Sequence, residues 1–212
     1  MTRKSNVLST KLIKLDSRYV DYRRFVGLTR DLHKSNEYEV HWSGYASKRI
    51  HGVRIVIKVD PSIEIVEVIP VDARIIVVDL IVRGCSLKVI NCYAPTEEST
   101  VSSKTSFYRT LNKQFKSVKK KQKVICLGDF NATTSAAWSN TSLREGSIID
   151  DLIVNDNGER FHEFFGSNKL SVLNIWFTHK KCRRITYGIR QTEKPKRCTI
   201  SFSVQVGFVI ML

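Results

Sequence analysis

Proline and glycine are scarce in this chain, four and ten among 212 residues, and they are scattered singly. That scarcity excludes a Pro/Gly-rich linker, and no tract is repeated or of low complexity, so residues 1–212 read as a single domain. Long apolar runs are also missing. VGFVIML at 206–212 comes closest, far below the roughly 20 residues a membrane-spanning helix needs. The opening MTRKSNVLST is too polar for a signal peptide, so an intracellular protein with no membrane partner is expected. Cysteine is sparse and odd in number. Among Cys85, Cys92, Cys126, Cys182 and Cys198 no two form a C-x-x-C pair, and Cys92 and Cys126 sit inside apolar runs. Reduced, buried thiols fit that pattern better than a disulfide frame or a zinc site, and no disulfide-linked partner is expected.

Acid is the last shortage. Twenty Asp and Glu face 35 Lys and Arg, a formal charge of +15. A field of that sign draws polyanions, which makes DNA or another nucleic acid the expected partner and the nucleus the expected compartment. The plainer alternative is that the charge serves solubility alone. The apolar fraction of 42% and aromatic fraction of 9% are those of a globular chain.

Strand signals dominate what is present. GVRIVIK at 52–58 and SIEIVEVI at 62–69 are rich in β-branched residues. RIIVVDLIV at 74–82, LKVINCYAP at 87–95 and KVICLGDF at 123–130 are continuously apolar, as central strands covered on both faces should be. Residues 8–24 carry Leu12, Leu15 and Tyr19 at loosely helical spacing, followed by a short strand FVGL at 25–28. Between 103 and 121, Phe107, Leu111, Phe115 and Val118 recur at helical spacing, with Ser102 or Ser103 as the cap. A polar loop from 132 to about 157 precedes a short helix around ERFHEFFGSN and a strand around LSVLNIWF. Several adjacent strands lack intervening helices, which predicts an α+β fold.

Chemistry concentrates in VICLGDFNA at 124–132, where Asp129 and Asn131 stand two apart at the end of a buried strand. A carboxylate and an amide projecting the same way can grip a metal-polarised water and a phosphate oxygen. A strand-ending turn explains the same residues, since Gly, Asp and Asn all favour turns. Upstream, VINCYAP at 89–95 ends a buried strand on Tyr93, whose hydroxyl can donate to a phosphate oxygen or simply pack at the sheet edge.

Taken in order, these segments resemble the endonuclease/exonuclease/phosphatase superfamily, in wording nearest to LINE-type retrotransposon endonuclease domains and the craniofacial development protein 2-like proteins derived from them. The matching pieces are WSGYASKRIHGVRIVI, LKVINCYAPTEE, FYRTLNKQ, VICLGDFNA, NDNGERFHEF and LNIWFTHKKCRRITY, together covering 37–187, with 188–212 divergent. The resemblance implies a two-layer β-sandwich flanked by helices, truncated at both ends, and magnesium-dependent cleavage of phosphodiesters. It assigns Asp129 to the attacking water and the metal, Asn131 to phosphate orientation, Tyr93 to the scissile phosphate, and Asn6 of SNVLS to the family's early Asn.

Two departures bear on activity. The family's metal-binding Glu falls at Arg30 of GLTRD, with Asp31 one step on, and arginine cannot ligate magnesium. Adjacent strand residues face opposite ways, so Asp31 reaches the metal only if the strand end bulges. The family's late strand Asp falls at Ser201 and its S-D-H triplet has no counterpart. Residues that act as a unit fail as a unit, which predicts a pseudoenzyme. Open edges where first and last strands are lacking predict marginal stability, unless the alternating, strand-like TISFSVQVGFVIML at 199–212 fills the vacated position and partly restores the sheet. Three readings stay open: a decayed endonuclease domain, an enzyme working through Asp31 and Asp129, and a non-catalytic module that binds nucleic acid. For binding, Lys180, Lys181, Arg183 and Arg184 of HKKCRR are the expected phosphate contacts, while KSVKKKQK at 116–123 reads as a solvated face.

Overall fold

In this computed structural model, the described parts are residues 38–44, 52–133 and 154–170, with short strands at 13–14, 33–34, 171–172 and 209–211. Two sheets form. The smaller has four strands, β1 (Ile13–Lys14), β2 (His33–Lys34), β3 (Tyr38–Gly44) and β4 (Gly52–Lys58), in the order β1-β4-β3-β2 and antiparallel throughout. The larger runs β5-β6-β7-β8-β10-β9, from β5 (Ile63–Asp72), β6 (Ile75–Val82), β7 (Cys85–Tyr93), β8 (Lys123–Asp129), β9 (Ser171–Val172) and β10 (Val209–Met211).

The continuously apolar runs are central for the reason their composition suggests. On β6, Ile76, Val78, Leu80 and Val82 face the smaller sheet and meet Val53, Ile55 and Ile57 of β4. The alternate residues Ile75 and Val77 point the other way and meet the helices. β6 is therefore buried on both faces, whereas β4 alternates because one face is wetter. Two side-chain bonds stitch the layers: Asn91 Nδ2 donates to the Arg54 carbonyl at 2.7 Å, and Ser43 Oγ to the Asp72 carbonyl at 2.6 Å. The architecture is thus an α+β sandwich with helices outside the larger sheet.

β7 and β8 run parallel, so a crossover must join them. That crossover is α1 (Val101–Lys116), which lays Phe107, Leu111 and Phe115 on the sheet at the expected spacing. α2 (Asp156–Ser167) packs beside it. Phe130 meets Phe161 and Phe165 edge-on, as Phe164 meets Phe165, while the 161–165 pair is tilted at 35° with 4.1 Å between centroids. Phe165 is fully buried in this cluster. Phe165→Ala should cost about 3–5 kcal/mol in urea unfolding; a loss below about 1 kcal/mol would show that the helix layer contributes little.

Three expectations need correction. Ile13–Lys14 is strand rather than helix, because pairing with Ile57 and Val56 of β4 overrides the loose apolar spacing. The α1 cap is Thr100, whose hydroxyl accepts from Ser103 N–H, and not Ser102 or Ser103. α2 begins at Asp156, within the stretch read as loop, because Asn155 caps it. The edge beyond β8 follows the alternative in which the C-terminal segment fills a strand position: Val209–Met211 pairs antiparallel with Val124–Cys126, and β9 pairs beyond it. The strand FVGL at 25–28 and the late-strand match at Ser201 lie outside the described residues.

Candidate active site

β7 and β8 end together. Their register sets Tyr93 beside Asp129, the last residue of each strand. Leu87, Val89 and Tyr93 belong with the layer between the sheets, as do Ile125 and Leu127. Counting by twos puts the Asp129 side chain on that same face. Tyrosine hydroxyl and carboxylate therefore share one end of the sandwich, both half-buried.

The close approach of the two strands there depends on Gly128. Its φ is 143°, and a Cβ on it would lie 1.9 Å from the Cys92 carbonyl oxygen. Past Asp129 the chain turns sharply. Asn131 adopts a left-handed φ of 48°, its N–H donates to Asp129 Oδ1 at 3.0 Å, and its Nδ2 donates to the Ala94 carbonyl at 2.9 Å. The motif is thus both a turn and a candidate site. The turn is real, and Asp129 Oδ1 and the Asn131 backbone and side-chain amides all take part in it.

Two residues that the motifs did not single out build the rest. Arg74, opening the β6 side of the β5–β6 turn, donates from its guanidinium to the carbonyls of Tyr93 and Ala94 at 3.1 and 3.2 Å. Its guanidinium carbon lies 5.4 Å from the Tyr93 ring centre, a cation–π contact that fixes the ring and places positive charge beside it. Asn155 is the hub on the other side: Oδ1 accepts from Thr133 and Gly158 N–H, both at 2.8 Å, and Nδ2 donates to the Asn131 carbonyl at 3.0 Å. Gly158 permits this, since a Cβ there would come 2.0 Å from the Thr133 carbonyl. NDNG is a legible helix start in retrospect, because Asn is a preferred N-cap.

Behind the rim, charge is spent on structure. Glu97 accepts the N–H groups of Asp156 and Asn157 at the start of α2, both at 3.2 Å, where the helix dipole favours an anion. Buried Lys104 bridges Glu97 and Asp156 at 3.2 and 3.1 Å. The hydrogen bond from Arg160, and then that from Lys104, hold the Asp156 carboxyl below the ordinary carboxylate range. Cys92 is a free thiol pushed up by burial with Cys126 nearby, which makes it inert as a nucleophile, as the apolar surroundings predict.

The described residues do not by themselves make a magnesium site. Magnesium wants oxygen ligands, and among the described residues no group of three or more His, Cys, Asp or Glu comes together. Asp129 supplies a carboxylate; Asp72, on the far side of Arg74, is turned to the Arg74 N–H at 2.7 Å. Asn6, Arg30, Asp31, Lys180, Lys181, Arg183 and Arg184 lie outside the described residues.

No curated protein matches the chain. Among solved structures, the endonuclease domain of TRAS1, a telomere-specific non-LTR retrotransposon, matches at 17% identity and a TM-score of 0.49, over 81% of this chain and 66% of that one. An endonuclease/exonuclease/phosphatase family protein from Leptotrichia buccalis matches at 12% identity and a TM-score of 0.49, over 94% of this chain and 72% of that one. The chain thus spans about two thirds of the TRAS1 domain's length. Residues 87–189, which begin in β7 and contain Tyr93, Asp129, Asn131 and Asn155, match the family described as endonuclease-reverse transcriptase. The matching stretch, just under half of the chain, thus contains both paired strand ends and the two motifs they carry.

Proposed function

We propose that the chain is a retrotransposon-type endonuclease domain that engages a DNA phosphodiester at the Tyr93–Asp129 rim but hydrolyses it poorly. The observation that carries this reading is the register of β7 and β8, which aligns a phenol and a carboxylate on one face beside the Arg74 cation. In it, Tyr93 donates its hydroxyl to a phosphate oxygen, and Arg74 offsets the charge that builds on phosphorus. Asp129 orients a water, and Asn131 keeps that carboxylate in place through its backbone N–H. Magnesium, the family's cofactor, would supply Lewis acidity if held at Asp129, with Asp31 as a second ligand only where its strand end bulges. Arg30 at the family's Glu position is the reason to expect weak hydrolysis, since its charge cannot replace a ligand oxygen. Lys180, Lys181, Arg183 and Arg184 would hold flanking phosphates.

Nicking of supercoiled plasmid by the purified protein with magnesium tests this, with EDTA and Asp129→Ala as controls. The expected result is nicking within background for both proteins. Robust nicking that both controls abolish would mean that Asp31 and Asp129 suffice, and the impaired-enzyme reading would fall. A second reading, a non-catalytic module, is favoured by the +15 charge. Salt-dependent binding to duplex without cleavage would support it.

A further inference from the structure

Opposite the Tyr93–Asp129 rim, six strand steps along β8 or about 20 Å away, the larger sheet presents its other end. Lys123 opens β8 there, next to Leu87 of β7. β10 pairs antiparallel with both β8 and β9, so β9 runs in the same direction as β7 and β8 and starts at this end too. Two residues before each of these three strands stands an exposed basic residue: Arg83 before Cys85, Lys121 before Lys123 and Lys169 before Ser171. All three adopt left-handed backbone, with φ of 50°, 70° and 54°. Lys119 and Lys120 are exposed in the same turn as Lys121.

Among the described residues, none of these six cations is ion-paired to a carboxylate. Asp60 lies within electrostatic reach of Arg83, which leaves the lysines as the stronger part of the patch. The turn that carries them is also held in one shape. Gln122 Oε1 accepts the Lys119 N–H at 3.1 Å, and Gln122 Nε2 donates at 3.1 Å to Asp79, which is itself paired to buried Lys88. Unpaired charges pointing away from a solvated helix would repel and scatter; here the fold gathers them at one end and fixes their backbone.

We propose that this lysine-rich end, formed by Arg83, Lys119, Lys120, Lys121, Lys123 and Lys169, is a second surface that contacts the phosphodiester backbone of a nucleic acid. It contacts phosphates without reading sequence, because ammonium groups on flexible stems recognise charge rather than base edges. At about 20 Å from the rim it holds a different segment of the nucleic acid from the one at Tyr93 and Asp129. The inference rests on the reading of the chain as a protein that acts on nucleic acid, yet it is tested at other residues.

The test is acetylation footprinting of the purified chain with and without a 30-base-pair duplex, read by mass spectrometry, beside a salt series of binding by fluorescence anisotropy. Lys119, Lys120, Lys121, Lys123 and Lys169 should become protected in the complex. The triple variant Lys119→Gln, Lys120→Gln, Lys121→Gln should bind with a salt slope shallower by roughly 2–3, about 0.9 for each phosphate no longer neutralised. Circular dichroism confirms that it is folded, and Asp129→Ala should leave the protection unchanged. Duplex that binds and protects other lysines only, or an unchanged slope in the folded triple variant, would overturn the proposal while sparing the rim. Absence of any salt-dependent binding by the unaltered chain would overturn it together with the nucleic-acid reading.

Discussion

Gly128→Ala should cost about 2–5 kcal/mol, on the order of 10 °C in melting temperature for a chain of this size. Two costs add. At φ 143° any side chain is strained, and the new Cβ would overlap the Cys92 carbonyl oxygen at 1.9 Å. A flexible side chain could move aside, but this contact is backbone in a central strand. Relief therefore requires β7 and β8 to separate where Tyr93 and Asp129 are held in register. Gly84→Ala is the matched control. Gly84 also has positive φ, 77°, but a Cβ there meets nothing within 4 Å. That variant carries the backbone cost alone, about 1–2 kcal/mol. Thermal melts of both variants decide the matter. Equal losses would mean that strand approach at Gly128 is not what the glycine provides, and the aligned rim would lose its structural explanation.

How far the fold could be read in advance follows from where each signal resides. β6, β7 and β8 were legible because burial on both faces leaves a continuous apolar run in the chain itself. The body of α1 was legible from the spacing of Phe107, Leu111 and Phe115, but its start was not. The stretch Ser99 to Ser103 offers several hydroxyls able to cap. Thr100 takes the role where Lys104, one turn on, is anchored by the Glu97 carbonyl at 2.7 Å, a contact between segments. The pairing of Val209–Met211 with β8 joins residues more than 80 apart, and no local pattern announces a partner. Tyr93 and Asp129 could be picked out because each ends an apolar strand. Arg74 and Asn155 could not, since they act on backbone carbonyls and N–H groups brought near by the fold, and any long cation or turn-forming amide looks alike in sequence.

Asp79→Ala should be the second severe change, about 3–5 kcal/mol by urea unfolding, although Asp79 is remote from the rim. Its carboxylate pairs with Lys88 Nζ at 2.9 Å, and both residues are buried, on β6 and β7. Removing the acid alone leaves an ammonium with neither water nor partner. The attraction of the pair is nonetheless small once the expense of desolvating both ions is counted. Replacing both at once, Asp79→Leu with Lys88→Met, should therefore be close to neutral, within about 1–2 kcal/mol of the unaltered chain. Asp79 also anchors Gln122, so the double variant should loosen the turn at Lys119–Lys121 while leaving overall stability intact. Amide hydrogen exchange at Lys119, whose N–H donates to Gln122, reads that loosening directly. Should the double variant fall as far as Asp79→Ala, the pair contributes net stability of its own. Exchange at Lys119 unchanged in the double variant would instead show that the lysine turn keeps its shape without the Asp79 anchor.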